Sequence, residues 1–394
     1  MSKPKRSIEE IENLSAMMES SIGIDKTKIF QLRESLNIAL TELEYGRLDD
    51  ALGFVRTGLS KMNTSPETMA RMMQPTPFDE MMKEISRVPQ GIALPFIKED
   101  GEESLYLEPG AITVLVGPSG HGKTTMSLNL ALFLAKQEKK IYYLSYEESA
   151  PSLVIKALSA FYGEELSANN TRAIRSYLSG EEKYIKSSHL PAFKEAIKDF
   201  KALNDSGIFI VRDDAPKEYQ LEDFLRRAAE HKAAAVFIDY IQLVNMESPG
   251  RSRHEEIKAL MGMMNRVAKE TGLIIVTAAQ FNRTVSNPMK MDMRAVSEGS
   301  DIEKTANLII GIWNTDKKIP PTEKKDMGKE WNSVTEEGYF CSPGYAYCRV
   351  LKSREAPGGE FMIPFSGNAR KISIELGEKP ADIETLDHQR DSIV

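Results

Sequence analysis

The sequence predicts an α/β fold: a mainly parallel sheet flanked by helices, preceded by a small all-helical N-terminal region. Three observations predict it. Beyond Gly110, short β-branched runs alternate with longer helical patterns, the texture of a parallel sheet covered on both faces. One of those runs leads into a glycine-rich loop and then a helical stretch, the order of a phosphate-binding site. Upstream, from Ser7 to about Met73, apolar residues recur at three- and four-residue steps with no strand pattern.

The elements follow in order. Ile29, Leu32, Leu36, Leu40 and Leu43 form one helical stripe, Gly46 interrupts it, and a second run spans Leu48 to Met62. Residues 1–74 therefore read as a helical hairpin of the kind that mediates packing. Gln74-Pro75-Thr76-Pro77 is a breaker, with Thr76 placed to cap a short helix from Phe78 to Ser86, and residues 75–90 read as a linker. Residues 91–376 carry the α/β pattern. Its strands are expected at Ile112 to Val116, Ile141 to Ser145, Ile208 to Val211, Ala235 to Asp239, Leu273 to Thr277 and Leu308 to Trp313. A closing hairpin, Tyr345 to Leu351 and Glu360 to Phe365, flanks Pro357-Gly358-Gly359. Residues 377–394 form a polar tail.

Composition removes several classes. The 394 residues exceed the roughly 250 to 300 at which one core stops growing, so one large domain with an appendage is expected. No run of about 18 apolar residues offers a membrane span. The opening MSKPKRSIEEIENL has charges with no apolar stretch behind them, unlike a signal peptide, so a cytoplasmic protein with no membrane partner is expected. Cys341 and Cys348 are too few for a disulfide framework and read as reduced thiols, and five histidines show no metal-ligand spacing. Lysine and arginine total 51 against 58 acidic residues, a net charge of −7. That argues against a surface coated for non-specific nucleic-acid binding, but not against a local basic channel.

Gly117-Pro118-Ser119-Gly120-His121-Gly122-Lys123-Thr124 fits G-x-x-x-x-G-K-S/T, and Thr125 continues it into the helical run Met126 to Lys136. Backbone N–H groups of such a loop wrap phosphates, and the helix N-terminus adds its positive dipole. Lys123 then reaches the outer phosphates and the Thr124 hydroxyl binds Mg²⁺, so ATP with Mg²⁺ is the expected cofactor pair. His121 holds a free position of the motif and reads as a tolerated side chain. Phosphoryl transfer also needs a carboxylate near the metal and a group that orients water. Asp239 ends an apolar strand and suits the first role; Glu147 or Glu148, at the end of another strand, suits the second. Gln280, just past a third strand, is placed to sense the terminal phosphate.

From about Phe78 to Lys371 the chain resembles the bacterial replicative helicases of the DnaB type, whose motor is a RecA-like ATPase. Eight stretches in the family's order carry the resemblance: GPSGHGKTT, LSYEES, IFIVRDDAPKEYQLEDFLRRA, VFIDYIQLV, RSRHEEIKALMGMMNRVAKE, TGLIIVTAAQFNR, GSDIEKTANLIIGIW and VLKSREAPGGEFMIPF. The resemblance implies an ATP-dependent hexameric DNA helicase with Glu147 as catalytic glutamate, Asp239 as Mg²⁺ partner and Gln280 as phosphate sensor. Lys352 and Arg354 match the basic pair that the family inserts into the neighbouring subunit's site, which implies a homo-oligomeric ring. Single-stranded DNA is implied to pass two loops, near Pro249 to Glu255 and Asn282 to Ser300, whose basic residues are Arg251, Arg253, Arg283, Lys290 and Arg294.

Two departures stand out. Ser297 precedes Glu298-Gly299-Ser300 where the family commonly has an arginine, and only about 75 residues precede the linker where the family has a longer collar that meets primase. No primase or loader contact is assigned to them. A short-collared helicase of a phage or mobile element fits. The alternative is a RecA-like ATPase whose ring or filament serves regulation, loading or defence without unwinding.

Overall fold

The computed structural model describes residues 26–44, 50–51, 53–55, 78–79, 81–82, 91–94, 105–214, 216, 218–244, 252–297, 299–354 and 359–372. The chain divides into two compact units, Met1–Val88 and Pro89–Val394. In the first, α1 (Lys26–Glu44) buries Ser35 and Ala39 and leaves Leu36, Ile38 and Leu40 exposed. Leu36 and Leu40 of the expected packing stripe therefore face outward. The expected second helix contributes residues 50–51 and 53–55 to the described set and the linker helix 78–79 and 81–82, all helical; the rest of both, and the tail, lie outside it.

In the second unit β1 (Ile92–Ala93) and β2 (Tyr106–Leu107) form a short antiparallel pair. The main sheet starts with β3 (Ile112–Gly117), followed by α2 (Lys123–Lys136) and β4 (Ile141–Ser145). Three helices come next, α3 (Ala150–Tyr162), α4 (Asn170–Leu178) and α5 (Leu190–Asp205), before β5 (Phe209–Arg212). Then α6 (Glu218–Glu230), β6 (Ala235–Asp239), α7 (Arg253–Thr271) and β7 (Ile274–Gln280) alternate. The short α8 (Gly299–Thr305) leads to β8 (Leu308–Asn314), and β9 (Tyr345–Ser353), β10 (Glu360–Ser366) and β11 (Lys371–Ile372) close the sheet.

The nine strands lie in the order β11-β10-β9-β8-β3-β7-β6-β4-β5. Strands β3 to β8 are mutually parallel and the last three antiparallel, as the alternating pattern and the terminal hairpin led one to expect. Several strands run past their expected ends: β3 to Gly117, β7 to Gln280, β8 to Asn314 and β9 to Ser353. Those residues are small or polar, and it is pairing with a neighbour that holds them extended.

Both sheet faces are dry. Along β3, Ile112, Val114 and Val116 pack into a layer with Leu225, Leu260 and Met264, while Leu115 packs oppositely with Leu130, Leu134 and Phe237. The period of two thus sends successive side chains of one strand into two cores. Helix α7 shows local specification well: Ser252 and Glu255 form a capping box at its start, and Gly272 at φ 75 ends it. Among the described residues no helix is long and apolar enough to cross a membrane, and both cysteines are free thiols, Cys348 buried and Cys341 partly so.

Candidate active site

The carboxyl ends of the parallel strands converge. Gly117 of β3 pairs with Gln280 of β7, and Ser145 of β4 pairs with Asp239 of β6, so the four ends share one edge. Open parallel sheets bind ligands there. A cavity of about 520 Å³ sits on that edge, lined by Ser119, Gly120, Gly122, Lys123, Thr124, Thr125, Glu147, Asp239 and Gln280 among others.

The loop is shaped by backbone requirements. Gly120 and Gly122 have φ of 75° and 92°, where an L side chain is strained. A Cβ on Gly117 would stand 2.9 Å from the Ile312 carbonyl oxygen, so only glycine allows β8 to approach the start of the loop. Gly122 also caps the start of α2 and offers no side chain to its first-turn N–H groups, which belong to residues that line the cavity. The Lys123 ammonium donates to the carbonyls of Gly117 (2.9 Å) and Pro118 (3.0 Å). Burial lowers its pKa to about 8, opposed by the nearby charges of Asp239 and Glu147.

Asp239 is 3% exposed. Burial raises its pKa, while hydrogen bonds from Thr124 and Tyr143 oppose the rise. A hydroxyl and a carboxylate lining one cavity beside the phosphate loop are two hard oxygen ligands. They fit Mg²⁺, which typically takes one or two carboxylates and completes its shell with phosphates and water. No cluster of three or more His, Cys, Asp or Glu able to hold a metal occurs among the described residues, so a metal here would rely on those phosphates.

The two adjacent glutamates differ. Glu148 pairs with Lys156 and accepts from the Ser152 hydroxyl at 3.1 Å, whereas Glu147 is exposed on the cavity wall. Packing, not sequence, separates them. His121 departs from expectation: its ring is 8% exposed, lies 4.2 Å from that of Trp313, and accepts the Asn314 N–H at 3.3 Å through Nδ1. It does not line the cavity. Burial, then the charges of Lys317 and Lys123, lowers its pKa to about 4. The sequence reading also missed Lys156, Asp316, Lys317, Phe365, Gly367 and Arg370, all on the wall. They come from α3, the end of β10 and turns distant in the chain; only Phe365 lies in a stretch that carries the resemblance, and nothing in that stretch marks it as a site residue.

Lys352 and Arg354 lie away from this cavity. They bind the carboxyl end of α8, Lys352 through the carbonyls of Glu303 and Ala306 and Arg354 through that of Lys304 at 3.0 Å. Ser353 pairs with Leu308, which is level with Thr113, so both basic residues sit at the opposite end of the sheet from Gly117. Of the other basic residues, Arg253 is tied to Glu256 (2.6 Å) and Lys290 to Glu323 (2.7 Å) and Asp326 (3.0 Å). Arg283 and Arg294 are exposed, and Arg251 lies outside the described residues.

The model of the DnaB-like helicase C-terminal domain matches residues 102–373. The chain is 24% identical over 230 residues to the replicative DNA helicase DnaB of Helicobacter pylori, covering 57% of this chain and 44% of that protein. Against DnaB of Rickettsia felis it is 25% identical over 284 residues, 66% of this chain and 53% of that one. A probable plasmid replicative DNA helicase of Chlamydia psittaci is 26% identical over 226 residues, 55% and 45% of the two chains. The chain thus spans about half the length of the curated relatives it matches. Among solved structures, a DnaB-like replicative helicase studied with its primase interactions superposes with TM-score 0.57 at 14% identity, covering 92% of this chain and 78% of that one. A second solved structure, an ATPase domain, gives 0.56 at 14% identity, covering 76% and 99%. The family match covers well over half of the chain, and the sheet, loop and strand-end acids agree with it: this protein belongs to the DnaB-like helicase C-terminal domain family.

Proposed function

We propose that this chain is an ATP-driven helicase that moves on single-stranded DNA and separates duplexes, working as a homo-oligomeric ring, most simply a hexamer. Its setting is replication of a bacterial, phage or mobile-element genome in the cytoplasm. What carries the proposal is the convergence of Lys123, Thr124, Asp239, Glu147 and Gln280 in one cavity of a chain of this family.

Each residue then has a physical role. The loop N–H groups and Lys123 bind the phosphates, and the anion draws Lys123 back to full charge. Thr124 and Asp239 hold Mg²⁺, which when bound neutralises charge on the outer phosphates. Glu147 accepts the proton of the attacking water, since Glu148 is engaged by Lys156. Gln280 reads the terminal phosphate. Its own carbonyl accepts from Ser297 N–H at 3.0 Å, and Asn282 N–H donates to Ala295, so the strand end is joined to the segment that carries Arg294. Arg283 and Arg294 contact the DNA backbone. Support for a site completed by a neighbour comes from the placement of Arg354 at the far end of the sheet from its own loop.

The test is displacement of a labelled strand from a forked duplex with and without ATP. ATP-dependent displacement is expected. DNA-independent hydrolysis with no displacement would instead assign the chain to ring- or filament-forming ATPases that do not unwind.

A further inference from the structure

Beneath the cavity, Tyr143 in the middle of β4 is fully buried, its ring nearly parallel to that of Phe237 at 5.9 Å between centroids. Its surroundings are apolar, and a phenylalanine would fill that layer with no polar group to satisfy. A buried hydroxyl costs free energy unless it is hydrogen-bonded. This one is bonded. The phenol donates to Oδ2 of Asp239 at 3.0 Å, and the Ser127 hydroxyl lies beside the same phenol.

The three partners sit on three parts of the site. Ser127 lies one turn beyond Lys123 on α2, within hydrogen-bond reach of the sheet below it. Asp239 ends β6, and Tyr143 lies four residues before Glu147 on the strand that pairs with β6. A single phenol therefore ties the strand of the candidate metal carboxylate to the strand leading to the candidate base, with Ser127 of the phosphate-binding helix beside it. With Oδ2 bonded to a rigid, buried donor, the Asp239 side chain is held in one orientation. A carboxylate fixed in this way binds a cation without first losing rotamer freedom.

We infer that Tyr143 is a positioning residue that orients Asp239 for a divalent cation, backed by Ser127 on the phosphate-binding helix. This rests on the assignment of Asp239 as the Mg²⁺ partner proposed above.

The experiment measures ADP binding to the full chain, in EDTA and across a Mg²⁺ titration, with melting temperature recorded for each variant. Tyr143→Phe keeps the ring and removes one oxygen. It is expected to leave ADP affinity in EDTA unchanged and to raise the Mg²⁺ concentration for half-maximal tightening about tenfold, the usual scale for losing a group that orients a ligand. Ser127→Ala, which leaves the bond to Asp239 in place, shifts the midpoint in the same direction by less. A lower melting temperature with an unchanged Mg²⁺ midpoint in both variants would reduce Tyr143 to a packing role and overturn the inference. Asp239→Asn separates the two levels. If Mg²⁺ tightens ADP binding to Asp239→Asn as it does to the parent chain, the metal assignment is wrong and the inference goes with it. If Asp239→Asn abolishes the Mg²⁺ effect while Tyr143→Phe and Ser127→Ala keep it whole, the positioning role alone is refuted.

Discussion

An equal mixture of Lys123→Ala and Arg354→Ala chains is expected to hydrolyse ATP far faster than either variant alone. The geometry sets the expectation. Arg354 is anchored beside Asn307 and Lys304, and its neighbour Ser353 is level with Leu308 and, across it, with Thr113. Gly117 lies four residues along β3 from Thr113, about 13 Å at 3.3 Å per residue, and the phosphate loop begins only there. That separation exceeds what the side chain spans, so a finger role for Arg354 has to be played in another subunit's cavity. An Arg354→Ala chain then keeps a sound pocket but offers no finger, and a Lys123→Ala chain does the reverse. On random assembly half the pockets and half the fingers are sound, so about one interface in four is complete. Loss of such a finger costs about 10³ to 10⁵ in rate, so the parents are nearly silent and the mixture recovers roughly a quarter of the unmodified rate. A coupled ATPase assay reads this, with differently tagged chains co-purified to prove mixing. If mixed assemblies form and the rate stays at the parental average, Arg354 is not a finger in trans.

Glu147→Gln keeps nucleotide affinity and lowers turnover by about 10² to 10⁴, measured by equilibrium binding beside steady-state hydrolysis; an equal loss in Glu148→Gln with Glu147→Gln unaffected would exchange their roles. Nucleotide binding takes up protons near pH 8, because the phosphates raise a Lys123 pKa that burial has lowered to about 8. Affinity is therefore flat below that pH and declines above it, which calorimetry in buffers of different ionisation enthalpy detects as buffer-dependent heat. His121 moves stability in acid: its folded pKa of about 4 lies below the unfolded 6.5, so the unfolded chain gains the proton first as pH falls. Stability contributed by the neutral ring is complete above pH 6.5 and lost toward pH 4, by about 3 kcal/mol, and urea unfolding of His121→Gln should show a shallower acid decline. Replacing Arg283 and Arg294 with alanine weakens single-strand binding and reduces its salt dependence by about one phosphate charge per residue lost from each contact, read by anisotropy at several salt concentrations.

The helix–strand alternation, the identity of the phosphate loop and the location of Asp239, Glu147 and Gln280 at strand ends were legible in the residues alone. Local rules suffice for these: a period of two, glycine where φ is positive, and a lysine and threonine opening a helix. Strand order was not legible, because β3 finds β7 and β8 as neighbours over chain separations that no local pattern encodes. Nor was the difference between Glu147 and Glu148, which depends on Lys156 arriving from the next helix, or the burial of His121, which depends on Trp313 nearly two hundred residues away. On α1 the leucine stripe suggested a buried face, yet Ser35 and Ala39 hold that place. Periodicity reports which residues share a face, whereas only the packed neighbours decide which face is covered and which charge is left free, since burial and electrostatic pairing depend on distance in space.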